Sequence, residues 1–360
     1  MARGCGLGRE GSIGLSKVAI LGAGSVGCFV GGAWAAAGLP VTLIGRERIG
    51  AAISEHGLTL SDHGGWRAQL SPAEVDFATK PVALAKADVI ALCVKSQDTE
   101  EAAKQIGRHA KKGAVVISFQ NGVSNVELLE ATLGRRGFTI VQGMVPFNVA
   151  YMGNGRFHKG VAGELFAADV PAIRALAEQI GGGPAKLTLH PNMPGIAWGK
   201  LLINLNNAVN ALSGRTLLEQ LKERDYRRIV AASIVEALDV LGAAGIEPAQ
   251  IGPVPPKLLP HAIAAPNLLF NNVFLKVQKI DGHARSSMAD DLKAGRRTEI
   301  DWLNGEVVKL GANLGRKTPV NAAIVALIKQ AEAGVEHLWS PTELKAHVLQ
   351  GHKAAPLFGY

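Results

Sequence analysis

The chain has 360 residues, with 38 Lys+Arg against 30 Asp+Glu; 48% of it is hydrophobic and 19% charged. That balance excludes a disordered chain, and 43 glycines without a three-residue period exclude a collagen-like fibre. The net charge of +8 comes from scattered pairs such as Lys111-Lys112, Arg135-Arg136, Arg227-Arg228 and Arg296-Arg297, with no long run, which argues against a nucleic-acid tail and leaves a diffuse field that favours small anions.

At this length two domains are expected. Cys5, Cys28 and Cys93 form an odd, unclustered set, and the ten histidines include no i, i+4 pair, so neither a disulfide framework nor a metal site is expected and a reducing cytoplasm is the default. No apolar stretch reaches the roughly 18 to 20 residues that span a bilayer. Residues 1–16 are Gly-rich and polar, and read as a loose extension, a vector remnant or a mis-set start.

From Lys17 short apolar, β-branched runs alternate with Ala/Leu-rich stretches of helical spacing, an α/β pattern. Lys17 to Leu21, Val41 to Ile44, Asp88 to Val94, Ala114 to Phe119 and Thr139 to Gln142 lack polar alternation and read as buried parallel strands. Helices are expected at Ser25 to Ala37, Thr99 to Arg108 and Asn125 to Leu133. Leu58 to Leu70 alternates around His63-Gly64-Gly65, a hairpin inserted into the wound sheet, and a second extended region runs from about Phe147 to Phe166.

After His190 strand-like runs almost vanish and helical periodicity takes over. The expected division is therefore an extension at 1–16, a Rossmann-type doubly wound domain at 17–190, an all-helical domain at 191–334 and a tail at 335–360 that is helical or loose. Six prolines between Pro248 and Pro266 predict a rigid irregular connection. Ile300, Leu303, Val307, Leu310 and Leu314 line one helix face, with Thr298 and Asp301 at capping spacing and Gly315 as its stop.

Gly22-Ala23-Gly24-Ser25-Val26-Gly27 matches G-x-G-x-x-G, a pattern that a chain this rich in glycine shows roughly 0.6 times by chance. Its setting carries the weight, because an expected strand precedes it and an expected helix follows. Gly22 then permits the tight turn, Gly24 the approach of a pyrophosphate, and Gly27 close packing of helix on strand. The N–H groups around Ser25 and Val26 face the phosphates. The alternative is a glycine-rich turn that binds nothing. At the end of the next strand stands Arg46, where an NAD site usually carries an acid; a guanidinium suits a 2′-phosphate and favours NADPH. Otherwise Arg46 is a solvated cation and Glu47 serves the ribose. Lys95 follows a strand at the same carboxyl edge, either as a cofactor contact or as an ordinary surface lysine.

Five islands together resemble the ketopantoate reductase family and cover most of residues 17 to 330: KVAILGAGSVG, VKSQDT, the FQNGV loop at Phe119 to Val123, WGKLLINLNNAVNALSG from Trp198, and SSMADDLKAGRRTEIDWLNGEVV from Ser286. The resemblance implies an NADPH domain, a helical domain and a substrate between them. It places the catalytic lysine at Lys200 and the essential glutamate at Glu299. It also implies Asn121 as the asparagine of the QNG loop, Asn204 one turn past the lysine, and Ser287 as the substrate-binding serine. Members often carry a second asparagine two turns past the lysine, but Ala208 stands there, flanked by Asn207 and Asn210; which of these meets substrate stays open.

Physically, Lys200, Asn204 and Asn207 lie at i, i+4, i+7 on one face of an apolar helix, a stripe that must face water, a polar partner or a ligand. The plain alternative is a hydrogen-bonded contact between helices. Reduction of a 2-keto acid leaves negative charge on the carbonyl oxygen, so a cation that can also give a proton is needed; Lys200 is expected as general acid, with Asn121 orienting it and the nicotinamide. Glu299 in a helix's first turn either accepts from a substrate hydroxyl or serves the helix dipole or Arg296. Ser287 either donates to a substrate carboxylate or, with Ser286, caps a helix.

The expected function is NADPH-dependent reduction of 2-dehydropantoate to pantoate, toward pantothenate and coenzyme A. A paralogous reductase of another 2-keto acid is the alternative, and a non-catalytic NADP sensor a more remote one. A small-molecule substrate is the expected partner, without nucleic acid or membrane, and a homodimer through the helical domain is one open assembly.

Overall fold

The computed structural model describes residues 15–275, 282 and 284–350; residues 1–14 of the expected extension and 351–360 of the expected tail lie outside them. The first half is built on an eight-stranded sheet of order β12-β11-β8-β7-β6-β1-β2-β5. In chain order its strands are β1 (Val18–Leu21), β2 (Val41–Ile44), β5 (Asp76–Ala78), β6 (Val89–Leu92), β7 (Val115–Ser118), β8 (Thr139–Met144), β11 (Leu165–Ala168) and β12 (Leu187–His190). Strands β5 through β8 run parallel in the order 5-2-1-6-7-8, while β11 turns antiparallel to β8 and pairs parallel with β12. In β1, β6 and β7 every residue is buried, which is why these runs lack polar alternation.

Alternate strand residues feed two cores. Val18 and Ile20 pack with α1 (Ser25–Ala36), α2 (Glu47–His56) and α5 (Pro171–Ile180), while Ala19 and Leu21 pack with α3 (Thr99–His109) and α4 (Asn125–Leu133). Helices therefore cover both faces, as a wound parallel sheet requires. The topological switch lies between β1 and β6, both ending toward the same edge.

Three sequence expectations need correction. The hairpin β3 (Leu58–Asp62) and β4 (Arg67–Leu70) forms as read but does not enter the wound sheet. It joins β9 (Val149–Tyr151) and β10 (Arg156–Lys159) in a separate four-stranded sheet of order β4-β3-β10-β9. That sheet packs on the outer side of α1, where a side chain at Gly32 would lie 2.5 Å from Leu58. Strands β5 and β12 escaped notice because one is a three-residue edge strand opening on Asp and the other ends Thr-Leu-His with only its first residue buried.

The expected long helix from Ile300 is the third correction. Glu299 precedes a short 3-10 turn at Ile300–Trp302, Leu303 breaks the path at φ −116° and ψ −97°, and the α-helix proper is Asn304–Asn313. Thr298 does not cap it: its N–H and hydroxyl both donate to Glu332 at 2.7 Å, so tertiary partners override the local capping signal.

The second half is helical, with α6 (Met193–Asn204), α7 (Asn206–Ser213), α8 (Leu217–Lys222), α9 (Arg224–Ala243), α10 (Leu259–Ala264), α11 (Ser287–Lys293), α12 (Asn304–Asn313), α13 (Pro319–Glu332) and α14 (Pro341–Val348). The proline segment is partly helical, since α10 lies within it. Beyond Gly334 the chain is no loose end: Leu344 and Val348 of α14 are buried with Tyr226 and Ile229 of α9.

One buried polar knot fixes how α13 meets α9. Glu236 accepts from the N–H groups of Val320 and Asn321 at 2.8 and 2.9 Å and from the Asn321 amide at 2.8 Å, capping α13 from a neighbouring helix. Glu236→Ala strands these buried donors, each costing roughly 1–3 kcal/mol. We expect a loss of about 3 kcal/mol, read as a lower denaturant midpoint at unchanged slope; an unchanged midpoint would refute this account of the knot.

Candidate active site

The glycine loop lies where β1 ends. Gly22 has φ +101°, and a Cβ there would sit 2.5 Å from the Val94 nitrogen, so both backbone shape and crowding demand glycine. Gly24 differs. A Cβ on it would meet nothing within 4 Å, so the protein's own packing gives no reason for its small size. The first-turn N–H groups of α1, at Ser25, Val26 and Gly27, have no intrahelical acceptors, and Gly24 offers no side-chain cap. Open space over a helix N-terminus suits a pyrophosphate, so these residues fit a dinucleotide.

Arg46 stands just past β2 at the start of α2, exposed and without an ion pair among the described residues. Lys95 follows β6 at the same edge, yet its charge is engaged: Nζ donates to Asp291 of α11 at 2.5 Å, and Asp291 also takes the Arg296 guanidinium at 3.0 Å. Arg296 is therefore spent on Asp291 and is not the partner of Glu299.

Lys200 comes from the other half. Asn192 caps α6 by accepting from the Gly195 N–H at 3.0 Å, and Met193 and Ile196 of that helix pack against Met144 and Phe166 of the sheet. This seats the Lys200 amine at the carboxyl ends of β7 and β8, where it donates to the Val145 carbonyl and, at 3.0 Å, to Asn121 Oδ1. The Asn121 amide then donates to Glu299 Oε2 at 2.9 Å. Ser96 completes the grip, with its N–H and hydroxyl both 3.0 Å from Glu299 Oε1. Ammonium and carboxylate are thus joined through one asparagine rather than in contact. Burial pulls the Lys200 amine down to about 8, against the opposing pull of the Glu299 charge.

The structure brings Lys200, Asn121 and Glu299 together and treats the remaining candidates differently. Asn204 is half-buried and its amide has no partner among the described residues. Asn207 lies past a one-residue interruption at Leu205 and is engaged only through its carbonyl, which accepts from Ser286 at 3.0 Å. Ser286 is also the cap of α11, accepting from the Ala289 N–H, and Ser287 beside it is exposed, its hydroxyl without a partner among the described residues. Asn210 is fully buried and spent on Arg215 and Ser286, and Ala208 is buried too, so neither position faces the cleft. Sequence reading missed Ser96 and the Val145 carbonyl. The signal for Ser96 was a small polar residue four positions past the end of β6, on the same carboxyl edge.

Both halves of the chain match known proteins. Residues 18–171 match the family described as "Ketopantoate reductase PanE/ApbA", and residues 192–332 match its C-terminal counterpart. A 2-dehydropantoate 2-reductase of Pyrococcus abyssi is 29% identical over 326 residues, covering 88% of this chain and 98% of that one. One from Halobacterium salinarum is 26% identical, covering 88% and 99%. Among solved structures, a PanE/ApbA family ketopantoate reductase from Ralstonia eutropha superposes with a TM-score of 0.75 at 29% identity over 88% of this chain and 99% of that one. A D-mandelate dehydrogenase in ternary complex with NADH and anilino(oxo)acetate shares the fold, with a TM-score of 0.73 at 21% identity over 88% and 99%.

Proposed function

Because the chain belongs to the ketopantoate reductase PanE/ApbA family, we propose that it reduces 2-dehydropantoate to pantoate with NADPH, a step toward pantothenate and coenzyme A. One observation carries the reading: the Lys200 amine, on a helix of the second half, reaches the carboxyl edge of the sheet just past β7 and β8, the same edge at which β1 carries the glycine loop. The residues that would hold the dinucleotide are Gly22, Gly24, Ser25, Val26 and Gly27 at the pyrophosphate, with Arg46 toward the 2′-phosphate. When bound, the nicotinamide supplies hydride to the keto carbon. Lys200 in its ammonium form stabilises charge growing on the carbonyl oxygen and gives it a proton. Asn121 fixes the amine's direction. Glu299 is placed to accept from the substrate hydroxyl, and the hydroxyl of Ser287 and amides of Asn204 and Asn207 are available to its carboxylate. Lys95 joins the cofactor only by sharing or leaving Asp291.

A second reading, reduction of another 2-keto acid, has one observation in its favour. The register where the family resemblance implies a second asparagine holds a buried Ala208, so part of the expected polar lining is missing. The test is loss of nicotinamide absorbance with purified protein across a panel of 2-keto acids, NADPH and NADH in parallel. We expect 2-dehydropantoate to give the highest kcat/KM and NADPH to exceed NADH by at least tenfold, worth about 1.4 kcal/mol. A different best keto acid transfers the assignment to the second reading; equal use of NADH refutes the role of Arg46.

A further inference from the structure

We infer that Ser96 is a positioning residue for this reduction, holding Glu299 in place from the cofactor side of the cleft. The inference rests on the reading above, and adds a residue that neither the sequence motifs nor that reading assigned. Glu299 belongs by sequence to the helical half, yet among the described residues the hydrogen bonds to its carboxylate come from the sheet half: the Ser96 N–H and hydroxyl on Oε1, and the Asn121 amide on Oε2. Its own turn at Ile300–Trp302 is a short 3-10 segment that the Glu299 side chain does not cap, the Ile300 N–H donating to Thr298 Oγ1 at 3.2 Å instead. The carboxylate is therefore aimed from across the cleft.

Ser96 is itself firmly set. It is 1% exposed, its carbonyl accepts from Thr99 Oγ1 at 2.8 Å, and Asn125 Nδ2 donates to its hydroxyl at 3.2 Å. Thr99 Oγ1 accepts from Gln120, its one proton has the Ser96 carbonyl and Asn125 Oδ1, at 2.9 Å, as acceptors in range, and Asn125 donates to the Asn121 carbonyl. The loops after β6 and β7 thus form one buried polar unit. The Ser96 hydroxyl has a single proton and two acceptors in range, Glu299 Oε1 at 3.0 Å and the Asn121 carbonyl at 2.8 Å. An ionised Glu299 is the stronger acceptor. The hydroxyl thereby ties the placement of Glu299 to the loop that carries Asn121, and hence to Lys200.

The plain structural alternative is that Ser96 only starts the Ser96–Asp98 turn ahead of α3. It is separated by kinetics on four proteins: wild type, Ser96→Ala, Ser96→Thr, and Ser96→Ala combined with Glu299→Gln, the last compared with Glu299→Gln alone. We expect Ser96→Ala to raise KM for the keto acid about tenfold, with kcat within about threefold and NADPH affinity within about twofold. Ser96→Thr, which keeps the hydroxyl, restores KM toward wild type. In the Glu299→Gln background Ser96→Ala changes KM by less than about twofold, since residues that act through one contact are not additive. A wild-type KM for Ser96→Ala, or the same tenfold rise in both backgrounds, overturns the inference while leaving the reductase assignment standing. A wild-type protein that turns over no 2-keto acid overturns the assignment itself and the inference with it.

Discussion

Lys200→Ala is expected to lower turnover by about 100- to 10,000-fold, the usual contribution of a positioned general acid, while NADPH still binds. The reason is location. The Lys200 side chain meets the Val145 carbonyl and Asn121 at the ends of β7 and β8, and the glycine loop proposed to receive the phosphates lies after β1, on the far side of β6. Removing the amine thus takes away charge stabilisation and a proton at the reacting oxygen without touching the phosphate cradle. Fluorescence titration with NADPH and steady-state oxidation of the same preparation separate the two effects. A turnover within about threefold of wild type would sink the assignment, because no general acid of consequence is worth so little.

The same amine sets a pH dependence. Burial lowers it to about 8, and the ammonium is the form that donates. Activity should therefore hold below that value and fall as pH rises through it, as Lys200 loses its proton. The Glu299 charge opposes the shift, so Glu299→Gln should move this limb to lower pH. Both shifts are read from kcat/KM profiles, which report the free enzyme.

How far such a site can be read from sequence depends on whether its chemistry is local. The strand, glycine loop and helix from Val18 to Ala36 lie in one contiguous stretch, and their elements fall within one residue of expectation. Lys200, Asn204 and Asn207 announced themselves as a polar stripe on an apolar helix, although the break at Leu205 between the second and third is invisible in the periodicity. Glu299 was found by resemblance, but its surroundings were misjudged. A first-turn helical setting was expected, whereas the helix starts only at Asn304 and the partners of Glu299 lie 178 and 203 residues away. One of the three hydrogen bonds that hold its carboxylate comes from a backbone N–H, which every residue but proline has and no motif marks. Asn210 shows the converse: from sequence it stays open as a substrate contact beside Asn207, but its amide is consumed by the chain past a helix end and by Ser286.

Gly24→Ala should weaken NADPH binding on the order of 100-fold while leaving the fold intact, and Gly22→Ala should fail in the opposite way. The two glycines are two residues apart and their surroundings differ completely. At Gly22 the backbone is left-handed at φ +101° and a Cβ would press on the Val94 nitrogen at 2.5 Å, so alanine there strains the β1-to-α1 turn itself. At Gly24 the backbone is extended, a conformation that alanine adopts freely, and the added methyl meets no protein atom within 4 Å. Whatever that methyl costs must come from something the chain receives. A phosphate held by the first N–H groups of α1 needs that space, and each charge-assisted hydrogen bond it loses is worth roughly 1.5–3 kcal/mol. One or two such bonds give the expected factor. Circular dichroism and a melting curve should match wild type to within a few degrees for Gly24→Ala, because the loss of a glycine cap to alanine costs about 1 kcal/mol and the methyl meets no protein atom. Titration with NADPH should show the loss. Wild-type NADPH affinity in a folded Gly24→Ala protein would mean that the pyrophosphate lies elsewhere, and the glycine loop would then be only a turn.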